Sequence, residues 1–596
     1  MAPLSSIYTE RLEQFEQELN ITRRNITIIA WLRLIAFIAS AFFAYKLIKA
    51  IDPLYIVVAV IFFIAFIVFI KITFRLGDKR DLLTKLVYVN KNEIAIINGE
   101  ESKFSNGIQF STPEGFTGDL DIFGKGSMFH LLNRSTTVHG NEKLAVLLAS
   151  PILNRSLIME QQQAIQVLGE QLKHRQLLTA HGLLHEEKEG NLSNISSWLE
   201  EPVRFLKQRF VLIFRWLLPL YNLGALYYAL DTENTLPLVT GVLLSWLIIG
   251  LNFEYITKQH TLLSKKQAIL DQYAGVLKIF STVSPGNSVF LKKVQKDIDK
   301  AHHSISALAR LSAIFDQRLN LLVNSFLNSL FVYDIHCLVA LEKWKEKNKT
   351  NFNEWIESVG SIESLNSLAT FAFNNPSYQY ATITDGNLSV ETVGIAHPLI
   401  DAKKRIPNDF TIGKTNKLIL VTGSNMSGKT TFLRTLGVNL VLAQCGAPVC
   451  ANSFSFTPMH IQSSIRVSDS LQESTSYFMA ELKRLHDIVI KLESGEPSLV
   501  LIDEILRGTN SDDKTHGSEQ FIKKLIAYNC LTMFATHDLS LSVLENESPE
   551  KIDNYCFESV IENGELIFDY KLRKGVARNK NASFLMQKMG IIDRPL

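Results

Sequence analysis

Leu418-Ile-Leu-Val-Thr-Gly423-Ser-Asn-Met-Ser-Gly428-Lys429-Thr430-Thr431 is the stretch on which the fold of the C-terminal third turns. Apolar Leu418 to Val421 reads as a buried strand, the loop after it has the spacing GxxxxGK[ST], and Thr431 to Leu442 continues with helical periodicity. Strand, glycine-rich loop and helix in that order predict a phosphate loop on an α/β sheet. The glycines let backbone N–H groups turn inward around phosphate oxygens, and the helix N-terminus adds its positive dipole end. The expected phosphate-binding residues are Gly423, Ser424, Asn425, Met426, Ser427, Gly428, Lys429, Thr430 and Thr431. Lys429 is placed to reach the β- and γ-phosphates of a nucleotide, and the Thr430 hydroxyl to sit on Mg²⁺.

Two more apolar runs end in polar residues. Leu499-Val-Leu-Ile502 leads into Asp503-Glu504, and Leu531 to Phe534 leads into Ala535-Thr536-His537-Asp538. An acid at the C-terminal end of a buried parallel strand faces the ligand crevice of such a sheet. Asp503 is therefore expected to hold Mg²⁺ through water, Glu504 to polarise the attacking water, and His537 to contact the γ-phosphate or that water. Lys429, Glu504 and His537 form the expected catalytic set, and Thr430 and Asp503 the metal set, for ATP hydrolysis.

The chain has 596 residues, too many for one core, so several modules are expected. With 61 Lys+Arg against 59 Asp+Glu there is no global pull toward nucleic acid. The five cysteines, Cys337, Cys445, Cys450, Cys530 and Cys556, form no CxxC pair, which argues against a disulfide framework or a zinc site. Hydrophobic residues make up 46%, and the mean hydropathy of +0.10 points to membrane segments. Pro53 to Ile70 carries no charge, Thr27 to Tyr45 carries only Arg33, and Trp216 to Leu230 and Leu236 to Phe253 are likewise apolar. Short gaps, Lys46 to Asp52 and Asp231 to Asn234, make these about four transmembrane helices in two hairpins. Arg23, Arg24, Lys71, Arg75, Lys79 and Arg80 flank the first hairpin on one side, and Arg204, Lys207, Arg209, Lys258, Lys265 and Lys266 flank the second on the same side. The positive-inside tendency puts both termini, and the ATPase region, in the cytoplasm of a multi-pass membrane protein. Lys46 and Lys49 in the first turn are a mild exception.

Further motifs discriminate among phosphate-loop families. Thr422 to Thr431, with Asn425 at the third loop position, resembles the MutS form. Leu501-Ile-Asp-Glu-Ile-Leu-Arg-Gly-Thr-Asn510 is similar to that family's second ATP motif, except that Leu506 stands where the family has Gly. Phe534 to His537 also fits, and Ser474-Thr475 followed by Phe478, Met479 and Glu481 looks like its signature loop, with Ser476-Tyr477 inserted. Leu131 to Gly140, Leu144, Pro151 and Gln161 to Ile165 resemble the start of the family's helical core, Ser364 to Ala369 the end of its lever helices, His397-Pro398 the entry to the ATPase, and Tyr570 to Gly575 with Asn581 to Phe584 its closing segment. The resemblance implies a homodimer in which Ser474 and Thr475 complete the ATP site of the second subunit, and a role in mismatched or branched DNA binding. Set against that resemblance, the expectation is a member without the family's N-terminal mismatch-reading domain and with Trp216 to Phe253 in place of its DNA clamp.

The expected organisation is an N-terminal membrane hairpin at 1–82, a small β-rich segment at 83–123 marked by the alternation Glu93 to Ile97, a helical core and lever domain at 124–390 with an inserted membrane hairpin at 210–254, and a P-loop ATPase domain of ABC/MutS type at 391–596. Three basic runs, Lys292 to Lys300, Lys343 to Lys349 and Lys571 to Lys580, read as solvated or membrane-surface faces before DNA sites. The expected function is a membrane-anchored, MutS-like ATPase that couples ATP to lever movement. An ABC-type membrane transporter and an ATP-driven membrane machine without a DNA role are the alternatives.

Overall fold

A computed structural model of the chain describes residues 4–49, 52–112, 115–185, 191–414, 416–424, 426–466, 477–506, 510–562, 565–578 and 591. Asn425, Ser474 and Thr475 lie outside these residues, as do Arg507 to Thr509 of the second ATP motif and Asn581 to Phe584.

The chain begins with two long antiparallel helices, Leu4–Lys49 and Pro53–Ile97, packed along each other. Asp52 caps the second by accepting from the Leu54 amide at 2.9 Å, and Pro53 occupies the first turn, where its missing N–H costs nothing. Each helix runs about 69 Å at 1.5 Å per residue, more than twice a hydrocarbon core of ~30 Å. The apolar parts of the two helices cover one face of each other and are otherwise exposed, whereas the far end is buried: Leu19, Leu83 and Leu86 pack on Ala180 of the helical core. The expected β-rich segment is therefore corrected. Residues 83–97 continue the helix Pro53–Ile97, and no strand occurs among the described residues from 83 to 123. The cause is spacing: Leu83, Leu86, Asn90 and Glu93 recur every three or four residues and share one buried face, which outweighs a five-residue alternation. Glu93 is buried in a two-pronged pair with Arg134 and also accepts from Asn374 at 2.7 Å.

Residues 128–182 and 253–316 form helices that pack around one 42-residue helix, Tyr333–Asn374. The motif that suggested a helical core has a steric basis. Buried Glu363 accepts from the amides and hydroxyls of both Thr136 and Thr137. A Cβ on Gly140 would lie 2.0 Å from Glu363 Oε2, so only glycine lets that helix approach. The run Lys343 to Lys349 is not one solvated face: Lys345 is buried, its ammonium 4.4 Å from the Trp198 ring centroid and donating to Glu201 O.

Among the described residues, three helices are long and apolar enough to cross a membrane: the first two and Arg209–Thr232. The fourth expected span, Leu236–Leu251, has 16 residues and qualifies only together with Phe253–Leu263, from which it is bent by 66°. A fifth candidate, Leu321–Phe331 with the start of the long helix, was not expected.

The C-terminal part holds a six-stranded sheet in the order Glu565–Lys574, Ile552–Glu562, Leu418–Gly423, Cys530–Thr536, Ser498–Asp503, His460–Ser464. All neighbours are parallel except the first pair. Every residue of the three central strands is buried, which is why they read as continuous apolar runs rather than alternating ones. A second, four-stranded sheet has the order Thr382–Ile383, Ser453–Phe456, Val390–Ile395, Asn408–Ile412.

Candidate functional site

Parallel register brings the C-terminal ends of the three central strands to one crevice. Thr422 pairs with Thr536, and Asp503 with Ala535. The loop after the first strand runs into helix Lys429–Gln444, whose N-cap Gly428 has φ 108°. A side chain there is disfavoured by the left-handed backbone and crowded by Tyr570 Cδ1, which would lie 3.1 Å from its Cβ. Lys429 is buried, and its Nζ donates to the carbonyls of Gly423 at 2.9 Å and Ser424 at 2.8 Å. Thr430 Oγ1 donates to Asp503 Oδ2 at 2.5 Å. His537 Nδ1 lies 2.8 Å from Gly423 O, so that nitrogen carries the proton and Nε2 faces Glu504 Oε2 at 3.7 Å. Burial, with Lys429 beside it, holds His537 below the ordinary histidine range. The structure thus brings together Lys429, Thr430, Asp503, Glu504 and His537.

Glu504 sits at φ 53° directly after its strand, with its amide donating to Ala535 O at 2.9 Å. Its carboxylate is gripped by Lys514 Nζ at 2.6 Å, from helix Ser511–Leu525. Lys514 carried no motif and was missed. Leu506, the departure from the resembled motif, is at φ 61°, the left-handed conformation that favours glycine. Its amide donates to Oε1 of buried Glu481 at 2.8 Å, and its side chain fills the space over Gly517, where a Cβ would come within 2.6 Å of Leu506 Cδ1. Left-handed strain costs a leucine about 1–2 kcal/mol, whereas removing a buried leucine side chain costs about 2–5 kcal/mol. Leu506→Gly is therefore expected to destabilise the domain, by about 1–3 kcal/mol in the amide exchange of the Ser498–Asp503 strand, rather than to repair it.

Beside the loop lies a cavity of about 260 Å³, lined by His397, Arg405, Ile406, Asn408, Thr431 and Tyr570, among others. Burial and the neighbouring Arg434 push His397 down to about 4, so it is neutral at pH 7. Arg405 is held by Tyr378 Oη at 2.6 Å. Apart from Thr431, named with the phosphate loop, and His397-Pro398 and Tyr570, quoted only for the resemblance, the wall was not read from the sequence, because its residues come from separate segments without a spacing rule.

Residues 419–592 match the family described as MutS domain V. The chain carries a MutS-family ATPase domain. It is 30% identical over 236 residues to the DNA mismatch repair protein MutS of Thermotoga neapolitana, covering 39% of this chain and 29% of that protein. It is 30% identical over 246 residues to the DNA mismatch repair protein MutS of Lactococcus lactis, covering 40% and 29%. For Thermotoga maritima MutS the values are 28% over 277 residues, covering 44% and 34%. The chain thus spans about a third of the length of these relatives. ATP binding and hydrolysis are the general activity of a MutS-type ATPase domain, and in this chain that domain is joined to candidate membrane helices.

The residues at the crevice suit a nucleotide with Mg²⁺. Ser427 Oγ is buried in the phosphate loop without a hydrogen-bond partner. Among the described residues no group of three or more His, Cys, Asp or Glu could hold a metal by itself. A hydroxyl and one carboxylate is the sparse set that Mg²⁺ accepts when phosphates and water complete its shell.

Proposed function

We propose that the chain is a membrane-anchored MutS-like ATPase in which nucleotide turnover moves the helical core against two membrane hairpins. The observation that carries this reading is the convergence of Lys429, Thr430, Asp503, Glu504 and His537 at one strand-end crevice, in a chain whose other end is an exposed apolar hairpin. The phosphates lie in the loop Gly423 to Thr431, and the base and ribose in the cavity between Ile406 and Tyr570. Thr430 and Asp503 would hold Mg²⁺, which when bound would supply positive charge to the nucleotide's phosphates. Lys429 exchanges its loop carbonyls for phosphate oxygens. Glu504 orients and polarises the attacking water, and neutral His537 offers Nε2 as a further acceptor to it. The charge flanking the hairpins supports an ATPase domain on the cytoplasmic side.

Two subunits form a homodimer with composite sites, each closed by Ser474 and Thr475 of the other. Mixing Lys429→Ala with Ser474→Ala subunits is then expected to leave one intact site per heterodimer, restoring up to about half of the wild-type rate per dimer that either variant alone lacks. Full hydrolysis by a chain that stays monomeric with ATP in detergent overturns the arrangement.

DNA, the ligand named for the relatives, has a weak claim here. The region in place of a clamp is apolar, and part of the basic run near the C-terminus is already engaged: Arg573 pairs with Asp569, Lys574 pairs with Asp553 at 3.3 Å, and Lys571 Nζ donates to Pro407 O. Phosphate contacts need free cations. ATPase measurements with homoduplex, mismatched and branched DNA test this. Hydrolysis is expected to be indifferent to all three at physiological salt, and strong stimulation by a mismatch returns the chain to a repair role.

A further inference from the structure

Leu321–Phe331 lacks the length to cross a bilayer, yet it is built as if it never meets water. Leu319 to Tyr333 contains no charged residue. The two charges that flank this run, Arg318 and Asp334, pair with each other at 3.2 Å, so none is left over at its entrance. One face of the helix packs on Arg209–Thr232 and Leu236–Leu251. The other presents Leu321, Leu322 and Phe326 at 76%, 82% and 60% exposure. At Val332 the backbone turns through the left-handed region, φ 45°, and the chain bends by 85° into the long helix Tyr333–Asn374.

Two exchanges of hydrogen bonds tie this corner to the second hairpin. Pro219 lies inside Arg209–Thr232 and has no N–H, so the carbonyl four residues back, that of Arg215, loses its helical donor. His336, in the first turn of the long helix, donates to that oxygen from Nε2 at 2.7 Å. The final carbonyls of Leu321–Phe331 are orphaned as at any helix end. Asn222, fully buried near the middle of Arg209–Thr232, donates to those of Ser329 at 3.0 Å and Leu330 at 3.3 Å. Trp246 Nε1 adds a bond to Ser329 Oγ at 3.0 Å. In water a freed carbonyl finds a solvent donor, whereas in hydrocarbon the protein must supply one. Each element here supplies the donor that the other lacks.

We propose that Leu321–Phe331 is a re-entrant element embedded in the leaflet on the ATPase-domain side, with acyl chains covering Leu321, Leu322 and Phe326, so that the long helix is rooted inside the bilayer. The occupant follows from continuity: the exposed face adjoins the lipid-facing surface of a helix long and apolar enough to span, and it carries no charge that a protein partner could read. The inference rests on the membrane reading of the second hairpin. It goes beyond that reading in making the ATP-coupled helix itself a membrane element.

Collision accessibility of a nitroxide label tests it on the full chain in liposomes. The five native cysteines are all buried, so an added cysteine takes the label. Leu322→Cys replaces an exposed side chain, with Leu243→Cys on the hairpin as the lipid reference and Lys292→Cys as the water reference. Leu322→Cys is expected to match Leu243→Cys, with oxygen collisions dominant and collisions with a water-soluble nickel chelate lost. If it groups with Lys292→Cys while Leu243→Cys stays lipid-like, the hairpin spans but the helix lies in water, and the proposal is overturned. If Leu243→Cys also groups with Lys292→Cys, the membrane reading falls and the proposal falls with it.

Discussion

Glu504→Gln is expected to leave ATP bound and to slow single-turnover hydrolysis by roughly 10²–10⁴-fold, the range for loss of a general base. The substitution keeps the shape of the side chain, and its amide oxygen still accepts from Lys514 Nζ, which holds the carboxylate at 2.6 Å. Nucleotide binding rests on other groups, the loop amides and Lys429, so the two properties separate. Lys429→Ala has the opposite signature, because it removes a charge from the phosphates themselves and weakens binding first. The pH dependence follows from His537. Burial and Lys429 depress its pKa, so the folded protein keeps it neutral through the ordinary histidine range near 6.5. An acid limb of hydrolysis due to its protonation therefore lies below that range. The same shift makes the unfolded chain the better proton binder between the two values. Its contribution to stability is present above about 6.5 and is lost as pH falls toward the folded value. An unimpaired single-turnover rate for Glu504→Gln removes the residue from the mechanism.

The crevice was legible because each of its parts follows a local rule. A buried parallel strand writes an unbroken apolar run, and the polar residue after it must face the ligand edge, so Gly423, Asp503 and His537 announce themselves in sequence. Residues that act across the fold do not. Lys514 reaches Glu504 from a neighbouring helix, and the cavity wall joins Arg405 and Ile406 to Tyr570 across more than one sheet. The membrane helices were legible in composition but not in extent. The extent of Pro53–Ile97 was not legible because its last turns mix apolar and polar residues, and they are held against the helical core both by Leu83 and Leu86 and by a buried ion pair between Glu93 and Arg134. Leu321–Phe331 was passed over because its 11 residues are too few to cross a bilayer, and the bonds from Asn222 and to the carbonyl freed by Pro219 that join this corner to the second hairpin follow no spacing rule in sequence.

Asp119→Ala is expected to loosen the attachment between the N-terminal half and the ATPase domain by about 3 kcal/mol, the low end for breaking a buried ion pair. Asp119 is nearly fully buried and accepts from four donors: Ser463 Oγ at 2.6 Å, the amides of Ile465 at 3.2 Å and Arg466 at 2.9 Å, and the Arg484 guanidinium at 2.6 Å. Two residues on, Asp121 bridges Arg434 of the phosphate-loop helix at 2.9 Å and Arg466 at 2.6 Å. One short segment, reached directly from the first membrane hairpin, therefore grips the helix that begins at Lys429 and the strand whose continuation leads toward Ser474. Truncating Asp119 leaves Arg484 facing a low-dielectric contact without its counter-charge, and leaves two strand-end amides unpaired. The cost exceeds that of a surface pair because solvent cannot replace the lost acceptor. A multi-domain chain has no single unfolding free energy, so the measurement is local. Amide exchange of Ile465 and Arg466 is expected to accelerate roughly 100-fold, while the Cys530–Thr536 strand at the centre of the sheet stays protected. Asp119→Asn retains acceptors for part of the set and is expected to fall between the two. Unchanged exchange at Ile465 in the alanine variant shows that the contact carries no load. A rise confined to that edge, together with a changed ATPase rate, ties the membrane hairpin to the nucleotide crevice through this carboxylate.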